Sequence, residues 1–162
     1  MNYKKIIIIV ILLLIDQVSK FFIAINNVYL PIINDFFYIE YATNKGAAFS
    51  ILSGQNIILI LITLVLIFII YKIMKTYKEG IINDLSFGLL YGGILGNLFD
   101  RLFLGYVRDF ISFKFGNYYF PTFNVADSGI VIGAAILIVA TIVEEVKNRG
   151  NKSRRRQKRE TR

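Results

Sequence analysis

The chain alternates between long apolar stretches and short polar ones, and four of the apolar stretches are long enough to cross a membrane. They cover residues 6–25, 57–73, 85–102 and 124–143. About 20 residues rising about 1.5 Å each span the hydrocarbon core of a bilayer, which is roughly 30 Å thick. We therefore predict an all-α membrane domain with four transmembrane helices.

The first stretch could also be a cleavable signal peptide, because Lys4 and Lys5 precede its apolar run. However, no small-x-small cleavage site follows, and the apolar sequence resumes after Lys20. A retained transmembrane helix is therefore the better interpretation of this segment.

Composition supports a membrane protein and excludes several kinds of chemistry. The 162 residues are 56% hydrophobic, with a mean hydropathy of +0.58, whereas soluble domains are about 45–50% apolar. The sequence contains no cysteine and no histidine, which excludes disulfides, thiol nucleophiles, Cys/His zinc sites and Ser-His triads. We expect neither a metal nor a cofactor, and any reaction must use the carboxylate, basic or hydroxyl side chains.

The basic residues predict an orientation. With four crossings, both termini and the loop between the second and third stretches lie on one side, together with fourteen of the 19 Lys and Arg residues. The positive-inside rule places that side in the cytoplasm. Residues 148–162 then form a basic cytoplasmic tail beside a membrane domain of residues 1–147. The tail could bind anionic lipid or nucleic acid, but a disordered anchor that fixes the topology is the simpler expectation.

Polar side chains within the stretches point to a site near the outer surface. Counting about 1.5 Å per residue from the inner boundary puts Asp16 near the midplane, and Arg101 and Asp127 in the outer third. Asp109 follows on the outer side. A charged carboxylate at membrane depth costs roughly 2.5–3.5 kcal/mol, so these groups need partners or a function.

The third stretch carries two neighbouring stripes of residues at four-residue spacing. The first stripe consists of Gly88, Gly92 and Gly96. These overlapping G-x-x-x-G patterns predict close packing of another helix. The second stripe consists of Gly93, Asn97 and Arg101. Its buried Asn and Arg groups need partners, and Asp109 and Asp127 are the candidates.

Asp109 and Asp127 together suggest acid–base chemistry. An ion pair with Arg101 would account for one of the two aspartates but not for the other. When two carboxylates share a partly dehydrated site, the pKa of one is raised, which leaves one acid and one base, as in aspartic proteases. Such a pair could hydrolyse a peptide at the membrane surface without metal, cysteine or histidine.

The segments outside the four stretches favour β-structure. Residues 35–42 alternate in polarity and are rich in aromatic side chains, which predicts a strand, and a turn signal follows at residues 44–46. Residues 106–123 are also β-prone. Their aromatic side chains suit the membrane–water interface.

Five motifs occur in order: DQVSK at 16–20, TNKGAAFSIL at 43–52, GGILGNLFDR at 92–101, VRDFI at 107–111 and FNVADSGI at 123–130. From the first stretch through the fourth, the chain resembles the bacterial lipoprotein signal peptidases, also called signal peptidase II. The resemblance implies four membrane helices with a small extracytoplasmic β-cradle and a short outer-loop helix. It also implies an aspartic endopeptidase that removes signal peptides from diacylglyceryl-modified prolipoproteins, cutting just before the lipidated cysteine.

The resemblance further implies roles for individual residues. Asp109 and Asp127 match the catalytic pair of the family. The other matching positions, expected to bind substrate or support the site, are Asn44, Gly46, Asn97, Arg101, Asn124, Ala126, Asp16 and Lys20. Arg108 stands where small or apolar residues are usual, but the aspartate after it is intact.

Asp16 is expected to have a structural role rather than a direct part in the chemistry. Lys20 follows it by four residues, so the two side chains could neutralise each other within one helix. Alternatively, Asp16 could bond the first helix to the polar stripe of the third.

The resemblance places the protein in the bacterial cytoplasmic membrane as a multi-pass enzyme. Both termini would be cytoplasmic, and the active site would face the outer leaflet. The expected partners are diacylglyceryl-modified prolipoproteins and membrane lipids. We expect no nucleic acid partner, and a monomer.

Two other functional classes compete with this interpretation. A proton-coupled transporter could use Asp16 and Asp127 as relay carboxylates, but no internal repeat or broken helix is visible. A non-catalytic scaffold could pack through the glycines of the third stretch, yet it would not need two aspartates and two asparagines at one depth. Presenilin-like membrane proteases carry a Gly-x-Gly-Asp signature that this sequence lacks.

Overall fold

The computed structural model of the chain describes residues 2–47 and 51–160, with side chains described up to residue 150. The elements in order are α1 (Tyr3–Ile25), β1 (Tyr29–Ile33), β2 (Phe37–Asn44), α2 (Asn56–Met74), α3 (Ile81–Phe103), β3 (Val107–Phe115), β4 (Tyr118–Tyr119) and α4 (Val125–Glu160). Each predicted membrane stretch coincides with one of the four helices, and only residue 124, the first of the fourth stretch, lies just before its helix.

Three helices in the described part of the chain are long and apolar enough to cross a membrane. They are α1, α2 and the segment Val125–Gly150 of α4. The third helix, α3, does not reach that apolarity because it carries several polar residues and glycines. The count of four crossings therefore does not follow from the structure.

The low apolarity of α3 is explained by its central position. Its side chains from Asp84 to Asp100 are largely buried, since α1, α2 and α4 all pack against it. A polar group on α3 therefore meets another helix instead of lipid, where it would lack a hydrogen-bond partner. The surrounding helices instead expose large apolar side chains over most of their length.

The two stripes predicted on α3 face two different helices. Cβ atoms added at Gly88 and Gly92 would meet Ile8 and Leu12 of α1 at 2.6 and 3.0 Å. A Cβ atom added at Gly93, on the second stripe, would collide with the backbone carbonyl of Ala126 at the start of α4. The predicted close packing is confirmed, and it brings the polar residues of α3 up against both neighbouring helices.

The four strands form one antiparallel sheet in the order β1-β2-β3-β4. The predicted strand at residues 35–42 corresponds to β2, and the β-prone segment 106–123 contains β3 and β4. The edge strand β1 was not predicted, because Pro31 argues against a strand in sequence. Proline is tolerated at an edge, where a missing backbone N–H leaves no neighbour unbonded.

Two sequence expectations about irregular segments have different outcomes. The tail was expected to be disordered, but α4 continues as a helix to Glu160. Extending an existing helix needs no new nucleus, and the tail is rich in helix-favouring Arg, Lys and Gln without proline. The predicted outer-loop helix falls partly on residues 48–50, which lie outside the described residues, while residues 51–54 form a turn.

Candidate active site

The first turn of α4 explains why an aspartate stands three residues after an asparagine. Asn124 immediately precedes the helix, and its side-chain Oδ1 accepts from the backbone N–H of Asp127 at 2.9 Å. In return, Oδ2 of Asp127 accepts from the backbone N–H of Asn124 at 3.2 Å. This reciprocal arrangement is a capping box, with aspartate in the place of the usual glutamate. Asp127 is thereby held in a fixed orientation at the helix end.

Asp16 of α1 completes the capping of the same helix end. Its Oδ1 accepts from the backbone N–H of Ala126 at 2.9 Å, one of the donors that a helix start leaves without a partner. Its Oδ2 lies 2.9 Å from Nζ of Lys20, and both side chains are fully buried. Ala126 is also fully buried, and its methyl group packs against Gly96. Asp16 is therefore neutralised by Lys20 within its own helix, which confirms one of the two alternatives predicted from the sequence, and it also bonds α1 to α4. The other alternative, a bond from Asp16 to the polar stripe of α3, is not found among the hydrogen bonds and ion pairs of the described residues.

Asp109 reaches the site from the sheet. It lies opposite Ala42 in the pairing of β3 with β2, so Asn44 is its diagonal neighbour on the same face. Oδ2 of Asp109 accepts from Nδ2 of Asn44 at 3.1 Å. Two backbone hydrogen bonds between Ile111 and Phe123 then hold β3 against the start of α4. The fold thus brings the aspartate of VRDFI to the aspartate of FNVAD.

Two asparagines connect the two carboxylates. Nδ2 of Asn124 donates to Oδ1 of Asp109 at 2.6 Å, and Nδ2 of Asn97 donates to Oδ1 of Asp127 at 2.7 Å. The side-chain Oδ1 of Asn97 accepts from Nδ2 of Asn124 at 3.2 Å and from Nζ of Lys20 at 2.9 Å. A continuous chain of hydrogen bonds therefore connects the two aspartates through the two asparagines. The buried ammonium group of Lys20 joins this chain at Asn97.

The environment of Asp109 favours its protonated form. Burial raises the pKa of Asp109, and the nearby charge of Asp127 raises it further, to about 7. The hydrogen bonds from Asn44 and Asn124 act in the opposite direction but are weaker. A carboxyl with this pKa can both give and take a proton near neutral pH.

A cavity of about 620 Å³ opens beside the pair. Asp127 lines it directly, together with Asn97, Asn44 and Arg101, and Asn44 in turn donates to Asp109. The remaining wall is apolar and is formed mainly by residues 120–123 and 130–132. The cavity therefore combines one lining carboxylate, linked through Asn44 and Asn97 to the network that includes Asp109, with a surface suited to hydrocarbon.

Arg101 binds the outer loop and not an aspartate. Its guanidinium donates to the carbonyl oxygen of Gly46 at 3.1 Å, while the Gly46 N–H donates to Oδ1 of Asn44 at 2.9 Å. The suggested ion pair of Arg101 with Asp109 or Asp127 is wrong, because the described residues contain no such pair within 4.0 Å. Arg101 instead ties the end of α3 to the loop that borders the cavity.

The structure brings all ten residues named from the sequence motifs into one connected region. They are Asp16, Lys20, Asn44, Gly46, Asn97, Arg101, Asp109, Asn124, Ala126 and Asp127.

Three further members of this region were not predicted as site residues from the sequence, namely Gln17, Asp100 and Arg108. Asp100 is fully buried and pairs with Arg108 at 2.7 Å. Gln17 accepts from Arg108 at 2.8 Å and donates to Oδ1 of Asp100 at 3.3 Å. Asp100 had one available signal, since a carboxylate inside a membrane stretch is by itself a candidate functional residue.

Comparison with known sequences identifies close relatives of the chain. The sequence model of signal peptidase (SPase) II matches residues 8–143. The lipoprotein signal peptidase of Halothermothrix orenii is 43% identical over 137 residues, which are 82% of this chain and 91% of that protein. Those of Bacillus pumilus and Francisella tularensis subsp. novicida are 37% and 40% identical, covering 86% and 90% of this chain and 92% and 95% of theirs.

Two solved structures, each described as a bacterial membrane enzyme determined by the in meso method, have a similar fold. One superposes with a TM-score of 0.79 at 34% identity, covering 89% of this chain and 90% of its own. The other has a TM-score of 0.74 at 35% identity, covering 85% and 91%. The arrangement of helices and small antiparallel sheet is therefore that of a membrane enzyme.

Proposed function

The chain belongs to the signal peptidase II family, and from this we propose that Asp109 and Asp127 are its catalytic pair. The protein is accordingly a peptidase that removes signal peptides from prolipoproteins. Membership of this family decides against the transporter and scaffold alternatives. The observation that carries the proposal is the asparagine-bridged pair of carboxylates, of which Asp127 lines a largely apolar cavity.

The proposed reaction uses the pair with one proton between its two members. The ionised carboxylate accepts a proton from a water molecule as that water attacks the scissile carbonyl carbon. The protonated carboxyl gives its proton to the carbonyl oxygen, which produces a tetrahedral diol. Collapse of the diol breaks the C–N bond. The leaving amine takes up the proton of the pair, and a hydroxyl of the diol gives its proton back to the pair. The two products are a carboxylic acid and an amine, and the pair again holds a single proton.

The supporting residues have distinct proposed tasks. Asn97 and Asn124 orient the two carboxylates through their short hydrogen bonds. Asn44 holds Asp109 from the sheet side, and Arg101 with Gly46 fixes the loop above the cavity. Asp16 and Lys20, together with Ala126, support the start of α4, so their part in the reaction is indirect.

We propose that the substrate carries a diacylglyceryl group, and that the cut falls just before the lipidated cysteine. Ile130, Val131 and Ile132 form an apolar wall on the same helix that carries Asp127. Acyl chains lying along this wall would bring the adjacent peptide bond to the carboxylates. Binding energy from such a remote group can be used to orient the reacting bond.

We propose that all four helices cross the membrane, including α3, which is less apolar than the other three. Both termini lie in the cytoplasm by the positive-inside rule, and the site lies toward the outer leaflet of the bacterial cytoplasmic membrane. Exposed aromatic side chains on the sheet, including Tyr29, Phe115 and Tyr119, suit a position at the membrane–water interface. The proposed domain comprises residues 1–147, acts as a monomer among membrane lipids, and carries residues 148–162 as a tail.

The test is cleavage by purified protein of one prolipoprotein supplied with and without its diacylglyceryl group. Mass spectrometry of the products should show a cut only in the lipidated form, immediately before the modified cysteine. Equal cleavage of both forms would contradict recognition of the lipid, and cleavage elsewhere would contradict the proposed cut site. Asp109→Asn serves as the inactive control.

A further inference from the structure

Arg108 precedes Asp109 on β3, and its side chain is held in the protein interior instead of facing water. Successive side chains on a strand point to opposite faces, so Arg108 is directed toward α3 and α1 while Asp109 lies on the other face, where it accepts from Asn44 and Asn124. The residue is only 9% exposed. An arginine buried to this extent needs partners for its donors, and its partners lie on two different helices.

Arg108 makes four polar contacts that fix both its side chain and its backbone. Its Nη2 donates to Oδ1 of Asp100 at 2.7 Å, and its Nε and backbone N–H donate to Oδ2 at 3.2 and 2.9 Å. The same Nη2 donates to Oε1 of Gln17 at 2.8 Å. A single carboxylate of α3 thus holds the guanidinium in fork geometry and also holds the strand backbone.

The backbone carbonyl of Arg108, on the side toward Asp109, is bonded to the site itself. The carbonyl oxygen of Arg108 accepts from Nδ2 of Asn124 at 3.3 Å. That nitrogen also donates to Asp109 at 2.6 Å. The backbone leading into Asp109 is therefore held from α3 on one side and from the start of α4 on the other.

We propose that Arg108 is a positioning residue, which acts through its clamp on Asp100 and Gln17 to hold Asp109 at its working distance from Asp127. The inference rests on the proposed catalytic pair and adds a residue that the motif comparison left out. Catalytic groups must be placed within about 0.5 Å of their productive geometry. A misplacement of about 1 Å can lower the rate about 10²-fold.

The charges around the clamp are balanced, which explains why an arginine is tolerated here. Asp100 also lies 3.5 Å from Nζ of Lys20, which in turn pairs with Asp16. Two carboxylates and two cations therefore form a neutral buried group. Replacing Arg108 by a small residue would leave Asp100 with one distant cation, so Arg108 and Asp100 depend on each other.

A second buried ion pair provides a matched control. Lys5 and Asp84 pair at 2.6 Å near the opposite end of α3, with side chains 7% and 4% exposed. Asp84 and Asp100 are 16 residues apart on the helix, which is about 24 Å. Breaking the Lys5 pair removes a comparable interaction without touching the site.

The experiment compares Arg108→Lys, Arg108→Met and Lys5→Met with the wild type, all purified and assayed below their melting temperatures. We expect both Arg108 variants to lose about 10²-fold in kcat, with KM changed by less than about threefold, because an interaction that serves only the transition state is lost. Lysine should not rescue the activity, since it lacks the fork. Lys5→Met should lower Tm by a similar amount while kcat changes by less than about twofold.

The clamp is refuted if either folded Arg108 variant retains kcat within about twofold of the wild type. It is also refuted if kcat follows Tm equally in all three variants, because that pattern indicates a general loss of stability. If neither Arg108 variant folds, Gln17→Leu decides, with an expected loss in kcat of about tenfold and an unchanged kcat as the contrary result. Wild type and Asp109→Asn are run in parallel. An inactive wild type contradicts the proposed function as well, whereas an active wild type confines a negative result to the clamp.

Discussion

The side-chain amide of Asn124 donates to the side-chain oxygen of Asn97 at 3.2 Å, and this bond joins the two halves of the carboxylate site. Each asparagine also donates to one aspartate, Asn97 to Asp127 and Asn124 to Asp109. An uncharged amide can bond to a carboxylate or to a carboxylic acid. The bridge therefore orients both side chains without requiring the proton to stay on one of them.

Asp109→Asn and Asp127→Asn should each abolish cleavage while Tm stays the same or rises. Asparagine keeps the shape and can still accept a hydrogen bond, but it cannot exchange a proton with the attacking water. It also removes like-charge repulsion and the burial of a charge, which favours the folded state. Turnover and Tm measured on the same purified proteins test this expectation, and the double variant should be little worse than either single one.

A purely structural role for Asp127 would give a different combination of stability and activity. If Asp127 only stabilises the helix start, its loss of charge should lower Tm, and the molecules that remain folded should still cleave. A stable Asp127→Asn protein that cuts at a near-normal rate would exclude a catalytic role for this residue.

Cleavage should fall as the pH rises above about 7. Burial, together with the charge of Asp127, raises the pKa of Asp109 to about 7, and the reaction needs one proton on the pair. Above this pH both carboxylates ionise and the acid is lost. Measured over about two pH units on either side, kcat should decline on the alkaline side, and a rate that keeps rising there would contradict the assignment.

The same pKa predicts how stability depends on pH. In the unfolded chain Asp109 titrates near its ordinary value of 3.8, whereas the folded protein holds the proton up to about 7. The stability that comes from this protonation is present in acid and is lost as the pH rises through that window. Asn does not titrate, so the Tm of Asp109→Asn should rise relative to wild type between about pH 4 and 7. A constant difference in Tm would count against the raised pKa.

Gly46→Trp should impair cleavage more than folding. Gly46 bonds to Asn44 and to Arg101 through its backbone, and its loop borders the cavity at Asn44 and Ala47. A large side chain there should obstruct the substrate or displace Asn44, and we expect turnover to fall about tenfold or more. Ser53→Trp is the control, because Ser53 is an exposed residue of the same loop. Equal turnover in both variants and the wild type would place the loop away from the substrate.

Removing residues 148–162 should leave catalysis intact in detergent. Lys147 is 20 residues beyond Asp127 on α4, a distance of about 30 Å along the helix. The tail supplies much of the inside positive charge, so abundance or topology in cells is expected to suffer. Specific activity of the purified truncated protein is the measurement, and a folded protein without activity would contradict this separation.

The helices and the aspartate pair could be predicted from the sequence because each leaves a local signal. Apolar runs mark α1, α2 and α4, and the glycine spacing of α3 predicted its close neighbours. The partner of Asn97 was also found among the candidates considered, since it donates to Asp127. The helix and glycine signals depend on spacing along one element, whereas the aspartates and Asn97 were linked through their similar predicted depth in the membrane.

Contacts between elements could not be predicted in the same way. Asp16 bonds to a backbone N–H of α4, and any residue except proline at position 126 would offer that donor, so the residue type there gives no sign of the bond. Arg108 was visible only as an unusual residue. Its pairing with Asp100 depends on β3 turning back along the end of α3, which its position in the sequence does not reveal. Arg101 found a backbone carbonyl, an acceptor present at every residue.

The main chains of α3 and α4 come into close contact at two glycines, Gly93 against Ala126 and Gly133 against Ser86. A main-chain contact offers no alternative rotamers, so these two points restrict how the helices can fit together. The outward faces of the bundle carry no such restriction, because their side chains meet only fluid acyl chains. Selection can therefore adjust those faces to membranes of different thickness and lipid content while the seam keeps the geometry of the site unchanged. The lipid-facing surfaces of the helices can thus change with the membrane, while the surfaces where α3 meets α4 preserve the chemistry.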